Sequence, residues 1–110
     1  MKVLYINARS IVNKVDELRI FANISEPDVI ALTESWTNPN ITNQFLNIPN
    51  YDIVARHDRN DTRNGRGGGI LIYVKKDIKS CETTSPSNFN QHACIRLTMG
   101  HDSSLHLLVI

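Results

Sequence analysis

Residues 28–36 read DVIALTESW. One polar residue is followed by Val29, Ile30, Ala31 and Leu32, and then by Thr33, Glu34, Ser35 and Trp36. An apolar run of this length, entered through Pro27, has the pattern of a buried strand. It ends in a carboxylate flanked by two hydroxyl residues. Either the strand simply surfaces at Glu34, or the carboxylate stands there to hold a metal ion. The neighbouring sequence weighs on the choice.

Upstream, Lys2–Ile6 reads as a strand from its β-branched and aromatic content, and Asn7-Ala-Arg-Ser10 breaks it. Asn13 suits a helix N-cap, with Asp16 and Glu17 in the first turn, where carboxylates favour the helix dipole. Val15, Leu18, Phe21 and Ala22 recur at helical spacing, and the helix is expected to end near Ile24. Strand, helix and strand in so short a span predict two parallel strands joined by a right-handed crossover. The C-terminal ends of both strands then open on one edge of the sheet. Asn7 ends the first and Glu34 ends the second, so the two side chains are expected to converge.

Downstream, 37–50 reads as a loop with a helical turn at 44–46, and YDIVARH (51–57) as a strand. A polar loop spans 58–66, and ILIYVKK (70–76) is a strong strand. Residues 79–91 read as a loop. ACIRLTM and LHLLVI are two further strands, joined by a hairpin turn at 100–104. The last strand runs to Ile110 with no closing turn, which predicts that the sequence is the N-terminal part of a longer domain.

The 110 residues suit one small domain, and 41% hydrophobic with 21% charged residues is a globular rather than a disordered composition. No stretch approaches 18 apolar residues, and MKVLYINARS lacks the apolar core of a signal peptide. Cys81 and Cys94 form no Cys-x-x-Cys pair, so zinc is not expected, and reduced thiols in an intracellular protein are. His57, His92, His101 and His106 show no ligand spacing.

Net charge is +1 but uneven: residues 55–80 hold seven Lys/Arg against three Asp/Glu. The basic stretch ARHDRNDTRNGRGGG is compatible with phosphate binding, and equally with a solvated loop balanced by Asp58 and Asp61. Gly67–Gly69 precede a strand rather than opening a helix, which argues against a nucleotide cradle. They instead let the chain turn sharply or let another segment approach. Trp36 is expected to pack under its loop. Magnesium often takes only one or two carboxylates, so Glu34 with a phosphate-orienting Asn7 fits such a centre. A base to activate water and a group to stabilise the leaving oxygen are not found in these residues.

LYINARSIVNKVDELR (4–19), PDVIALTESW (27–36) and NYDIVARHDRNDTRNGRGGGILIYVKKDI (50–78), with their spacing, resemble the endonuclease domain of LINE-type, non-LTR retrotransposons, in particular the jockey and related groups. That domain lies in the endonuclease/exonuclease/phosphatase superfamily, with apurinic endonucleases and DNase I. The resemblance is firm to Ile78 and loose over 79–110.

It implies an α/β (α+β) fold, the N-terminal half of a four-layered α/β/β/α sandwich of the DNase I-like type. It implies Asn7 as the active-site Asn and Glu34 as the ligand of Mg2+ (or Mn2+). Arg9, Arg56, Arg59, Arg63 and Arg66 would contact nucleic acid. The implied reaction is hydrolysis of a DNA phosphodiester, nicking a target so that reverse transcription is primed, in a nuclear setting and with no membrane role. The family's later Tyr, Gly-Asp-x-Asn and Ser-Asp-His segments have no counterpart here. His101-Asp102 stand in the reverse order and too early.

The isolated chain is therefore expected to be inactive, its partners in the parent protein being the missing half and a downstream reverse transcriptase. Because much of the second sheet would lie in that half, the inner face of the first sheet is expected to be partly bare and adhesive. The rival is a non-catalytic module that binds nucleic acid or protein through the Arg56–Arg66 loop. A phosphatase relative is a third reading, which the Arg-Ser and Glu-Ser-Trp contexts oppose.

Overall fold

The computed structural model describes residues 1–58, 68–83, 92–99 and 103–109. The predicted roles of Arg59, Arg63, Arg66 and Gly67, and the readings placed on 84–91, 100–102 and Ile110, lie outside them. Three layers are seen: helices, a mixed sheet, and a second sheet.

The first unit is β1 (Val3–Asn7), α1 (Val15–Ser25) and β2 (Val29–Thr33), with β1 and β2 parallel. Their register sets Val3 opposite Val29 and Asn7 opposite Thr33. α1 buries Val15, Leu18 and Ala22, one stripe at helical spacing. It begins one residue later than Asn13 predicts. Lys14 is the N-cap and supplies no side-chain cap, its ammonium donating instead to the Ala8 carbonyl. The helix ends through a left-handed Glu26 (φ 48°), whose N–H donates to the Ala22 carbonyl, ahead of Pro27.

A short α2 (Asn43–Leu46), capped by the Thr42 hydroxyl, leads to β3 (Tyr51–His57), β4 (Ile70–Lys75) and β5 (Lys79–Thr83). The sheet order is β1-β2-β4-β3, with β4 antiparallel to both its neighbours. β2 and β4 are therefore central and covered on both faces, which is why each reads as an unbroken apolar run. Ile30, Leu32, Leu71 and Tyr73 face the helices. Val29, Ala31, Ile70, Ile72 and Val74 face the second sheet. Each such aliphatic side chain contributes about 1.5–3 kcal/mol by leaving water.

The second sheet is an antiparallel meander of β5, β6 (Ala93–Met99) and β7 (Ser103–Val109). β5 replaces the loop expected from residue 79. Its sequence, KSCET, carries no apolar alternation and is mostly exposed, so it is a strand through its pairing with β6 and not through a buried face. β5 and β6 pack against β3, and His57 on β3 hydrogen-bonds Glu82 on β5, tying the two sheets together. The β1 end of the same face is open: Val3 is 44% and Tyr5 57% exposed. Both cysteines are free thiols.

Candidate functional site

The parallel pairing of β1 and β2 continues past the strands. The Ala8 N–H donates to Thr33 O (2.8 Å), Ser10 N–H to Glu34 O (2.9 Å) and Ile11 N–H to Ser35 O (3.0 Å). The backbone here is strained. Arg9, Ser10, Glu34 and Trp36 all have positive φ, at 47°, 77°, 53° and 59°. Each such residue costs about 1–3 kcal/mol and persists only where its surroundings enforce it.

The strain has a geometric result. In a continued strand Glu34 would point to the face opposite Thr33. The left-handed turn at Glu34 breaks that alternation, and both residues line one cleft. Tyr5, Asn7, Thr33, Glu34, Gly68, Gly69 and Ile70 enclose about 230 Å³ there. The sheet edge thus brings Asn7 and Glu34 to a shared hollow, with Arg9 exposed two residues beyond Asn7.

Within the cleft, the Tyr5 and Thr33 hydroxyls are hydrogen-bonded at 2.7 Å. Glu34 Oε2 accepts from the Gly68 N–H at 2.9 Å and from the Trp36 indole Nε1–H at 2.8 Å. Among the described residues Glu34 Oε1 and the Asn7 side-chain amide have no hydrogen-bond partner. A carboxylate with one oxygen saturated and the other open, beside an unengaged amide, fits a small hard cation that takes one protein oxygen and keeps its waters. Among the described residues no three His, Cys, Asp or Glu side chains cluster.

The turn that carries Glu34 is anchored from behind. The Ser35 N–H donates to Gly69 O and the Trp36 N–H to Gly68 O, at 3.3 and 3.0 Å. Gly69 (φ 100°) is in van der Waals conflict with any side chain of its own: a Cβ there would lie 2.3 Å from Ser35 Oγ. Close approach of another segment, expected of these glycines, is therefore realised at Gly69. Ser35 and Thr37 are fully buried. Thr37 Oγ1 donates to Asp58 Oδ1 at 2.7 Å, and Arg56 Nε donates to the same oxygen at 2.9 Å.

Three of the four remaining guanidinium N–H groups of Arg56 donate to Asn43 Oδ1 and to the Asn38 and Ile41 carbonyls. Its guanidinium braces residues 38–42 and the start of α2, a structural employment that its place in a basic stretch did not reveal. Sequence reasoning also missed the indole and Gly68 donors. The only signal for the first was an indole two residues beyond the carboxylate.

Burial works to raise the pKa of Asp58, but the hydrogen bonds from Arg56 and Thr37 and the charge of Arg56 outweigh it, and the carboxyl stays below its ordinary value. A depressed folded-state pKa stabilises the fold at pH above the unfolded value of about 4, and that contribution is lost as pH falls through the folded value. Melting temperature should therefore fall on acidification below about pH 4, and Asp58→Asn should flatten that part of the profile. An unchanged acid limb in the variant would show that Asp58 contributes nothing.

The family comparison agrees with this architecture. Residues 4–109 match the Endonuclease/Exonuclease/phosphatase family, and the chain belongs to that family. No curated protein matches the sequence. Among solved structures, the chain is similar to the AP endonuclease LMAP from Leishmania major, with a TM-score of 0.73 and 19% identity over 97% of this chain and 38% of that one. That likeness gives the fold, an α/β arrangement with two sheets of the DNase I-like type. The chain spans well under half the length of that structure.

Among the described residues no helix is long and apolar enough to cross a membrane.

Proposed function

We propose that the chain is the N-terminal part of a metal-dependent DNA endonuclease of the LINE-type retrotransposon kind. It supplies the cation-holding and phosphate-orienting half of the site. The observation that carries this reading is Glu34, whose Oε1 has no hydrogen-bond partner among the described residues, lining a cleft shared with Asn7. Mg2+ or Mn2+, when bound, supplies Lewis-acid polarisation of a phosphoryl oxygen. Glu34 would hold it. The Asn7 amide orients a phosphate oxygen by donating a hydrogen bond to it. Tyr5 and Thr33 wall the cleft, and exposed Arg9 offers charge to the neighbouring phosphate of a DNA strand. Arg59, Arg63 and Arg66 are proposed as further phosphate contacts on the strength of the sequence resemblance alone, whereas Arg56 serves the site by bracing the chain before β3.

Among the described residues lining this cleft there is no second carboxylate, and no histidine, to activate water, and removing members of a catalytic set typically costs several orders of magnitude. The chain alone should therefore leave supercoiled plasmid intact in Mg2+ while binding it with an affinity that falls steeply with salt. Nicking abolished by Glu34→Ala would overturn the claim of incompleteness. Salt-independent binding, or none, would remove the DNA surface from the account. The retrotransposon setting, with a reverse transcriptase downstream and action in the nucleus, rests on the Asn-Ala-Arg-Ser and Thr-Glu-Ser-Trp contexts.

A further inference from the structure

Trp36 is the only tryptophan of the chain. It is half-buried, and its backbone is held in a left-handed conformation that a bulky residue rarely adopts. That conformation needs a reason, and the indole hydrogen bond provides one. Trp36 Nε1–H and the Gly68 amide converge on the same oxygen, Glu34 Oε2. Two donors fill the lone-pair directions of that oxygen, and among the described residues Oε1 has no hydrogen-bond partner.

We infer that Trp36 is a positioning residue. By saturating Oε2 it restricts Glu34 to one-oxygen ligation, so the site favours a small cation that keeps its waters over a larger one that grips a carboxylate through both oxygens. This rests on the reading of Glu34 as the cation ligand and adds the basis of its selectivity. Mg2+ and Mn2+ accept one carboxylate oxygen within a nearly octahedral shell, whereas Ca2+ readily takes both. Bidentate binding would require Oε2 to give up the indole and the Gly68 amide together. The same bond makes the indole a reporter, because a cation on Oε1 withdraws charge from the oxygen that Nε1–H faces.

The test uses the 110-residue chain. Mg2+ should shift its single indole N–H resonance saturably, and Glu34→Gln should abolish the shift. By electron paramagnetic resonance, Trp36→Phe, which keeps an aromatic ring and deletes the donor, should weaken Mn2+ binding about tenfold. Competition with Ca2+ should show the Mn2+ over Ca2+ preference falling with it. Glu34-dependent Mn2+ binding that is unchanged in affinity and preference in Trp36→Phe would overturn the role of Trp36 and leave the site reading standing. Mn2+ binding that ignores Glu34→Gln would overturn both. Should Trp36→Phe fail to fold, the indole resonance decides alone: a signal unmoved by Mg2+ that does bind at Glu34 refutes the coupling.

Discussion

Gly69→Ala should destabilise the domain by about 3 kcal/mol or more and disorder the turn that carries Glu34. Two penalties combine. At φ 100° an alanine is strained by about 1–3 kcal/mol. Its methyl would also meet Ser35 Oγ at 2.3 Å and the Trp36 nitrogen at 3.2 Å, and overpacking of this kind typically costs 1–3 kcal/mol. Ser35 is fully buried, its Oγ is hydrogen-bonded to Thr37 Oγ1 and its backbone N–H to Gly69 O, so neither its side chain nor its backbone gives way without losing a contact. Chemical denaturation measures the loss. The double variant Ser35→Gly/Gly69→Ala should recover part of it, because the hydroxyl conflict disappears while the backbone strain remains. A Gly69→Ala protein within 1 kcal/mol of wild type would show that the β4 entry is not pinned against the Glu34 turn.

Glu34→Gln should leave the fold standing and remove divalent-cation binding. The amide oxygen of a glutamine can still accept from the Gly68 N–H and the Trp36 indole, although hydrogen bonds to a charged acceptor are the stronger ones. A stability loss of about 1–2 kcal/mol is expected on that ground. The loss of metal is larger. Opposite unit charges 4 Å apart near a protein surface attract by about 4 kcal/mol. Deleting this carboxylate should then weaken Mn2+ by about 100-fold or more, since each 1.4 kcal/mol is tenfold. Calorimetric titration of both proteins reads this directly.

The order of elements and the site edge were legible because they follow from periodicity and chain geometry. β2 and β4 announce themselves as apolar runs since both faces are covered, and parallel pairing of β1 with β2 makes their C-terminal ends neighbours. That step alone predicted that Asn7 and Glu34 share a cleft. What was illegible depends on partners distant in sequence. β5 is a strand by pairing with β6, so KSCET carries no signal of it. Lys14 replaces Asn13 at the helix start without a side-chain cap, its ammonium instead reaching the Ala8 carbonyl.

Arg56 looked like part of a phosphate-binding stretch, but the Asn38 and Ile41 carbonyls, Asn43 at the start of α2 and Asp58 take four of its five donors. Glu34 itself was readable as a strand-end carboxylate. The left-handed turn that re-aims it was not, because Thr-Glu-Ser-Trp contains no glycine to mark it. Part of the expected bare inner face is covered: β5–β7 supply a second sheet over β3 and β4, and the exposed apolar surface of that face is at Val3 and Tyr5.

Titration of Mn2+ into the 15N-labelled chain, followed by paramagnetic broadening of its amide signals, tests the site most directly. The account predicts that Asn7, Glu34, Gly68 and Gly69 fade first at substoichiometric metal, and that the same signals stay sharp in Glu34→Gln. Broadening centred elsewhere on the molecule, or identical in the two proteins, would contradict it.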